Sequence, residues 1–204
     1  IEVLASGSIV SGGGNISLDS NGTAGGFTTV AGLVDASTGG VTVSARQLKL
    51  NGLSNVNANQ LDISAGLVTQ GVNSIITANI LTGTTNAGAF FDGVNNDIAT
   101  LGNFTTGAAT YSNGQFRLVD NNGLNINGAI STSGTDKNLA HGDGSINIDS
   151  KGTTWAHALD VSSASSIQTN GGTVTLASHS GGLIVKGDID ASAGNIDLSG
   201  SQVQ

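Results

Sequence analysis

Short runs of alternating hydrophobic and small polar residues recur along the whole chain. One motif, at residues 7–20, places a hydrophobic residue seven positions before a second and nine positions before a third. It recurs at residues 32–45, 165–178 and 187–200. Because side chains of a strand point alternately to its two faces, each run predicts a short β-strand with one inward face.

The spacing between copies predicts the architecture. Ile9 and Val34 hold the same place in two neighbouring copies, as do Ile167 and Ile189. A unit of this size cannot bury its hydrophobic face alone, so units must stack. Leucine-rich repeats, propeller blades, β-sandwiches and left-handed hexapeptide helices would show other periods or compositions. We therefore predict an all-β, right-handed parallel β-helix (β-solenoid) of about nine coils, each of about 20–25 residues.

Composition agrees with this prediction. The chain has 32 Gly and no Pro, and 37% of its residues are hydrophobic. Glycine suits tight turns, and the lack of proline leaves every strand N–H free to pair with a neighbouring coil. Helix-forming charged residues are rare, so we expect almost no α-helix.

The whole chain is predicted to be one β-helical segment, residues 1–204, that belongs to a longer shaft. The repeat is interrupted at residues 134–160, which we interpret as an insertion. Insertions in a solenoid emerge as loops on one face, and that face often binds a ligand.

The charge excludes several classes of function. The net charge is −8, with only six Lys and Arg residues. Nucleic acids and anionic membrane surfaces are bound mainly through basic side chains, so neither partner is expected. With no Cys and no spaced histidine ligands, we expect no metal site, and no motif predicts a cofactor.

Two stretches resemble the repeat shaft of filamentous-haemagglutinin-type proteins, the large exoproteins of bacterial two-partner secretion. They are NDIATLGNFTTG…FRLVDNNGLNINGAISTSG (96–134) and GLIVKGDIDASAGNIDLSG (182–200). The resemblance implies a right-handed β-helix that is secreted or displayed on the bacterial cell surface, with an outer-membrane transporter as its partner during secretion. It also implies a role in adhesion, biofilm formation or toxin display.

The secretion domain of that family carries Asn-Pro motifs, and this chain has no Pro, so the resemblance covers the shaft only. A chain with this repeat pattern and composition is also compatible with the passenger domain of a single-chain autotransporter.

We therefore predict a structural or adhesive shaft that mediates attachment or biofilm formation, with host-cell or surface glycans or other filament subunits as partners. The alternative is a polysaccharide-binding or polysaccharide-degrading β-helix protein. β-Helix enzymes cluster carboxylates on adjacent coils. Asp188, Asp190 and Asp197 lie close in sequence, but they are expected to solvate repeating corners. No catalytic residue is predicted, and the chain is not expected to be an enzyme.

The candidate ligand-binding residues are Trp155, His157 and His141, all within the predicted insertion. An exposed Trp could stack on a sugar ring. The alternative is that Trp155 covers the core where a coil widens. Phe90 and Phe91 are adjacent, so one is expected to face inward and the other outward.

Overall fold

The structure, a computed structural model, describes residues 1–21, 26–107, 114–133, 144–152 and 159–204. These residues form twenty β-strands and no helix, and every strand pairing is parallel. The predicted all-β class is confirmed. In the described part of the chain, no helical segment has the length and hydrophobicity that crossing a membrane requires.

The strands are, in chain order, β1 (Glu2–Val3), β2 (Ser8–Val10), β3 (Ile16–Asp19), β4 (Phe27–Val30), β5 (Leu33–Asp35), β6 (Gly40–Leu50), β7 (Asn55–Gln70), β8 (Ile75–Thr85), β9 (Ala89–Phe91), β10 (Asp97–Thr106), β11 (Phe116–Asp120), β12 (Leu124–Ile126), β13 (Ala129–Thr132), β14 (Ile146–Ser150), β15 (Leu159–Val161), β16 (Ser166–Thr169), β17 (Val174–Ser178), β18 (Leu183–Val185), β19 (Asp188–Asp190) and β20 (Ile196–Ser199).

Parallel pairing arranges these strands in three columns that the chain visits in turn. Column A stacks β1, β4, the ends of β6 and β7, β9, β11, β14, β17 and β20. Column B stacks β2, β5, the starts of β7 and β8, β10, β12, β15 and β18. Column C stacks β3, the start of β6, the middle of β7, the ends of β8 and β10, β13, β16 and β19.

The chain makes about eight turns of a parallel β-solenoid, which confirms the predicted β-helix. The predicted number of about nine coils is slightly high, because the turns differ in length. The turn that leads from Val30 to its partner Leu50 is short, whereas the turn from Leu118 to its partner Ile148 is half as long again. Both turns keep the parallel pairing of column A, so a turn can differ in length without disturbing the hydrogen-bonded ladder.

The repeat copies stack in register. Ile9 pairs with Val34, and Ile167 pairs with Ile189. However, the motif occupies different corners in the two halves of the molecule. At residues 7–20 it leads from column B to column C, and at residues 187–200 it leads from column C to column A. The motif therefore encodes one strand–turn–strand unit that suits more than one corner.

The turn within this motif has the same structure at both corners. The Asp35 carboxylate accepts a hydrogen bond of 2.8 Å from the backbone N–H of Ser37, whose φ is +53°. The Asp190 carboxylate accepts one of 2.7 Å from the N–H of Ser192, whose φ is +52°. The aspartate holds the turn, because this bond is made only when the following chain bends back.

The core is a continuous stack of Ile, Val and Leu side chains with three phenylalanines in its middle. Phe104 lies with its ring centroid 5.7 Å from that of Phe91 and 5.0 Å from that of Phe116. All three rings are buried, while Phe90 is only half-buried on the outer face. The prediction that Phe90 and Phe91 face opposite ways is therefore confirmed.

The predicted insertion at residues 134–160 contains a regular strand of the solenoid. Strand β14 pairs with β11 in the preceding turn and with β17 in the next. Residues 134–143 and 153–158 of this interval lie outside the described residues.

Candidate functional site

The predicted ligand-binding residues Trp155, His157 and His141 lie outside the described residues. Their binding role stays a prediction. The described residues offer three kinds of polar group: carboxylates at the turns, a buried polar corner and the outward side chains of column C.

Several carboxylates hold turns together. Asp19 accepts a hydrogen bond of 2.9 Å from the backbone N–H of Asn21. Asp35 accepts one of 2.8 Å from the side-chain amide of Asn57 in the next turn, in addition to its bond within its own turn. Asp188 and Asp190 are exposed on either side of Ile189, which packs against the core. The corner role expected for Asp190 agrees with its bond to Ser192.

Other carboxylates pair with cations on the surface. Asp92 forms a two-pronged ion pair with Arg117, and this hydrogen bonding raises the pKa of the guanidinium. Asp160 lies 3.1 Å from Lys186 Nζ. Each pair links side chains of successive turns, so these charges connect coils and do not converge on a shared pocket.

A buried polar corner, formed by Gln70, Asn96 and Asp120, lies between columns A and B. Gln70 Nε2 donates to Asn96 Oδ1 at 2.7 Å, and Asn96 Nδ2 donates back to Gln70 Oε1 at 3.0 Å. Asn96 Oδ1 also accepts from the backbone N–H of Ile76, and Asp120 Oδ1 accepts from that of Ile98. These side chains satisfy backbone groups that would otherwise be buried without a partner.

Asp120 is the one member of this corner that can ionise. Its side chain is fully buried, and Oδ2 accepts the backbone N–H groups of Asn122 at 3.0 Å and Gly123 at 2.9 Å. Burial raises the pKa of Asp120 and outweighs the three backbone hydrogen bonds, which act in the opposite direction.

Substitution of Asp120 by asparagine is expected to destabilise the protein by about 1–3 kcal/mol at pH 4, because both carboxylate oxygens accept backbone N–H groups and the amide NH₂ would face at least one of these donors. Because the pKa of Asp120 is raised on folding, its contribution is fully present below the pKa of the unfolded chain. That contribution declines as the pH rises through the folded value. The difference between wild type and variant should therefore be smaller at pH 7 than at pH 4, as measured by urea unfolding.

Asp188→Asn is the matched control, since Asp188 is exposed. It should change the free energy of unfolding by no more than about 0.5 kcal/mol at either pH. A difference between wild type and Asp120→Asn that grows with pH would contradict the expected direction.

The outward side of column C, called face C, carries the most regular surface chemistry. One row of small polar side chains runs through five consecutive turns, each residue in register with the next. This row, the hydroxyl row, consists of Ser44, Ser64, Thr84, Thr105 and Ser131. Successive members are about 4.8 Å apart, the distance between hydrogen-bonded strands.

Three grooves open on face C. The first, of about 390 Å³, is lined by Thr42, Gln60 and Asp62 together with corner residues. The second, of about 190 Å³, includes Ser64 and Thr84. The third, of about 400 Å³, is lined by Thr105, Ser131, Gln168, Asn170 and neighbouring residues. Residues with hydroxyl or amide side chains contribute to all three linings, which suits hydrogen bonding to a polar ligand.

No protein-family model, curated protein or solved structure matches this chain. Within the described ranges, no three His, Asp or Glu side chains are grouped closely enough to hold a metal ion.

Sequence reasoning missed both the buried polar corner and face C. The run Asp120-Asn121-Asn122-Gly123 is typical of a turn and could have located the buried polar corner. The hydroxyl row has no such signal, because a whole turn of the solenoid separates each member from the next. Its members align only once the length of every turn is known.

Proposed function

We propose that the chain is a structural and adhesive shaft of a secreted bacterial surface protein or extracellular filament, which mediates attachment or biofilm formation. The observation that carries this proposal is the structural use of the carboxylates. Among the described residues, Asp19, Asp35 and Asp190 hold turns, and Asp92 and Asp160 pair with cations of adjacent turns. Carboxylates that are used to hold turns and to connect coils favour a mechanical role for the chain over acid–base catalysis.

The parallel ladder supports the same role. Each of the three columns pairs strand to strand from one end of the described molecule to the other. A solenoid of this kind distributes its stability over many similar interfaces and presents a long surface for repeated contacts. Surface or host-cell glycans and other filament subunits are the proposed partners.

Secretion through an outer-membrane transporter is the proposed route to the cell surface. It is supported by the resemblance of residues 96–134 and 182–200 to the shafts of filamentous-haemagglutinin-type exoproteins. The lack of Cys also suits export, because no disulfide can form before the chain has crossed the membrane.

Beads coated with the folded chain are expected to attach to epithelial monolayers or bacterial biofilms under flow in severalfold larger numbers than albumin-coated beads. The reason is that many weak contacts act together on one bead. Attachment no greater than that of albumin on both surfaces would contradict the adhesive role. Release of new reducing ends from polysaccharides by the chain would instead favour the degrading alternative.

A further inference from the structure

Face C differs from the other two faces in its chemistry. The outward residues of column A include Lys49 and Arg117, and those of column B include the apolar Ile75 and Ile184. Among the described residues, Ile80 is the one large apolar residue at an outward position of column C. The strand segments of column C contain no Lys or Arg in the described residues, and their outward positions carry mainly hydroxyl, amide and carboxylate groups.

The electrostatics of face C limit what can bind there. Asp19, Asp62, Asp188 and Asp190 all belong to its strands, so the surface is polar with an excess of negative charge. Arg46 lines the second groove, but its guanidinium lies 4.7 Å from the centroid of the Phe27 ring and stacks over it. Sulfated or uronic-acid polymers would meet repulsion on this face, whereas uncharged polymers would not.

The hydrogen-bonding groups of face C are already aligned along the axis of the solenoid. Thr82 donates to Asp62 at 2.8 Å, and the hydroxyls of Thr105 and Ser131 lie 3.1 Å apart. Each bond joins neighbouring turns, so the side chains are held in fixed positions. Rows of donors and acceptors fixed in this way can bind the hydroxyls of a polymer with little further loss of side-chain entropy.

We propose that face C binds an extended, uncharged polysaccharide that lies along the solenoid axis, over the hydroxyl row and the second and third grooves. The proposal rests on the adhesive role proposed above and names its ligand class. The face runs through about eight turns of about 4.8 Å each, so one polymer chain contacts several turns at once. Each contact is weak, and the affinity comes from their number.

Affinity gel electrophoresis of the chain tests this proposal with dextran, mannan and galactomannan as uncharged probes and polygalacturonate and heparin as acidic ones. The chain should be retarded by at least one uncharged probe and by neither acidic probe. The double variant Ser64→Lys, Thr84→Lys should weaken that binding about tenfold, because two long cations would stand over the second groove. The control Thr77→Lys, Thr175→Lys adds the same charge on columns B and A and should bind within about twofold of wild type.

Three results would overturn the proposal: no retardation by any of the uncharged probes, retardation by an acidic probe, or equal loss of binding in the control. Circular dichroism of both double variants confirms that each one is folded.

The bead assay separates this proposal from the adhesive role. If beads coated with Ser64→Lys, Thr84→Lys attach as wild-type beads do, the adhesive role stands and the assignment to face C fails. If wild-type beads do not attach although the gel shows retardation, the polysaccharide binding proposed for face C stands and the adhesive role fails.

Discussion

Truncation of Phe104 to alanine is expected to lower the free energy of unfolding by about 3–5 kcal/mol. The side chain is fully buried, and its ring contacts Phe91 edge-on and Phe116 at a tilt. Removing the ring loses these contacts and leaves a cavity that the neighbouring coils cannot close, because their hydrogen-bonded ladders fix their spacing. Urea unfolding followed by circular dichroism measures the change as a lower transition midpoint.

Phe27→Ala is the matched control, since Phe27 is 49% exposed and contacts Arg46 on the surface. Its loss should cost no more than about 1 kcal/mol, the size of an exposed cation–π contact. If the two substitutions shift the midpoint equally, the aromatic cluster is not the centre of stability that its burial indicates.

The surroundings of Phe104 show why such packing is difficult to predict from sequence. Gly83 pairs with Phe104 in column C, and a Cβ built on Gly83 would lie 2.9 Å from Phe104 Cε2. The large ring therefore uses the space that the glycine leaves free. This match depends on a register shift between Leu101 and Phe104, and no sequence pattern fixes where that shift falls.

The strands themselves could be predicted because alternation is a local property. Ile16 and Leu18 face inward in β3, as their spacing of two requires, and they pair with Val41 and Val43 of the next turn. The count of turns was less accurate, because the number of residues per turn varies along the chain. Long turns such as that from Leu118 to Ile148 reduce about nine predicted coils to about eight.

The candidate site was harder to predict than the fold for a related reason. A binding surface on a solenoid is assembled from residues of different turns, so its pattern is visible only across the columns. Ser64 and Thr84 are neighbours on face C, yet a whole turn of the chain separates them in sequence. Sequence reasoning favours rare residues such as Trp155, whereas the repeated surface is built from Ser, Thr and Asn, which are abundant throughout the chain.

Gly39→Ala is expected to destabilise the protein by about 3 kcal/mol, the upper part of the range for overpacked sites. A Cβ on Gly39 would lie closer than 3.0 Å to the backbone O and C atoms of Gly14 in the preceding turn. The backbone cannot move away easily, because the N–H of Gly39 donates to Ala36 O at 2.8 Å and its carbonyl accepts from the N–H of Asn59 at 2.9 Å. The φ angle of Gly39 is not positive, so close approach of two turns is the reason for glycine here.

Gly14→Ala is the control, because Gly14 occupies the same corner one turn earlier. The nearest atom to a Cβ there is 3.8 Å away, so the change should stay within about 0.5 kcal/mol. Gly194→Ala repeats the test at the other corner that uses this turn, where a Cβ would approach Gly172 O and C in the same way. Urea midpoints that fall for Gly39→Ala and Gly194→Ala but not for Gly14→Ala would show that tight stacking of turns sets the glycine requirement at both corners. Equal midpoints for all three variants would mean that the coils can separate locally to admit a methyl group.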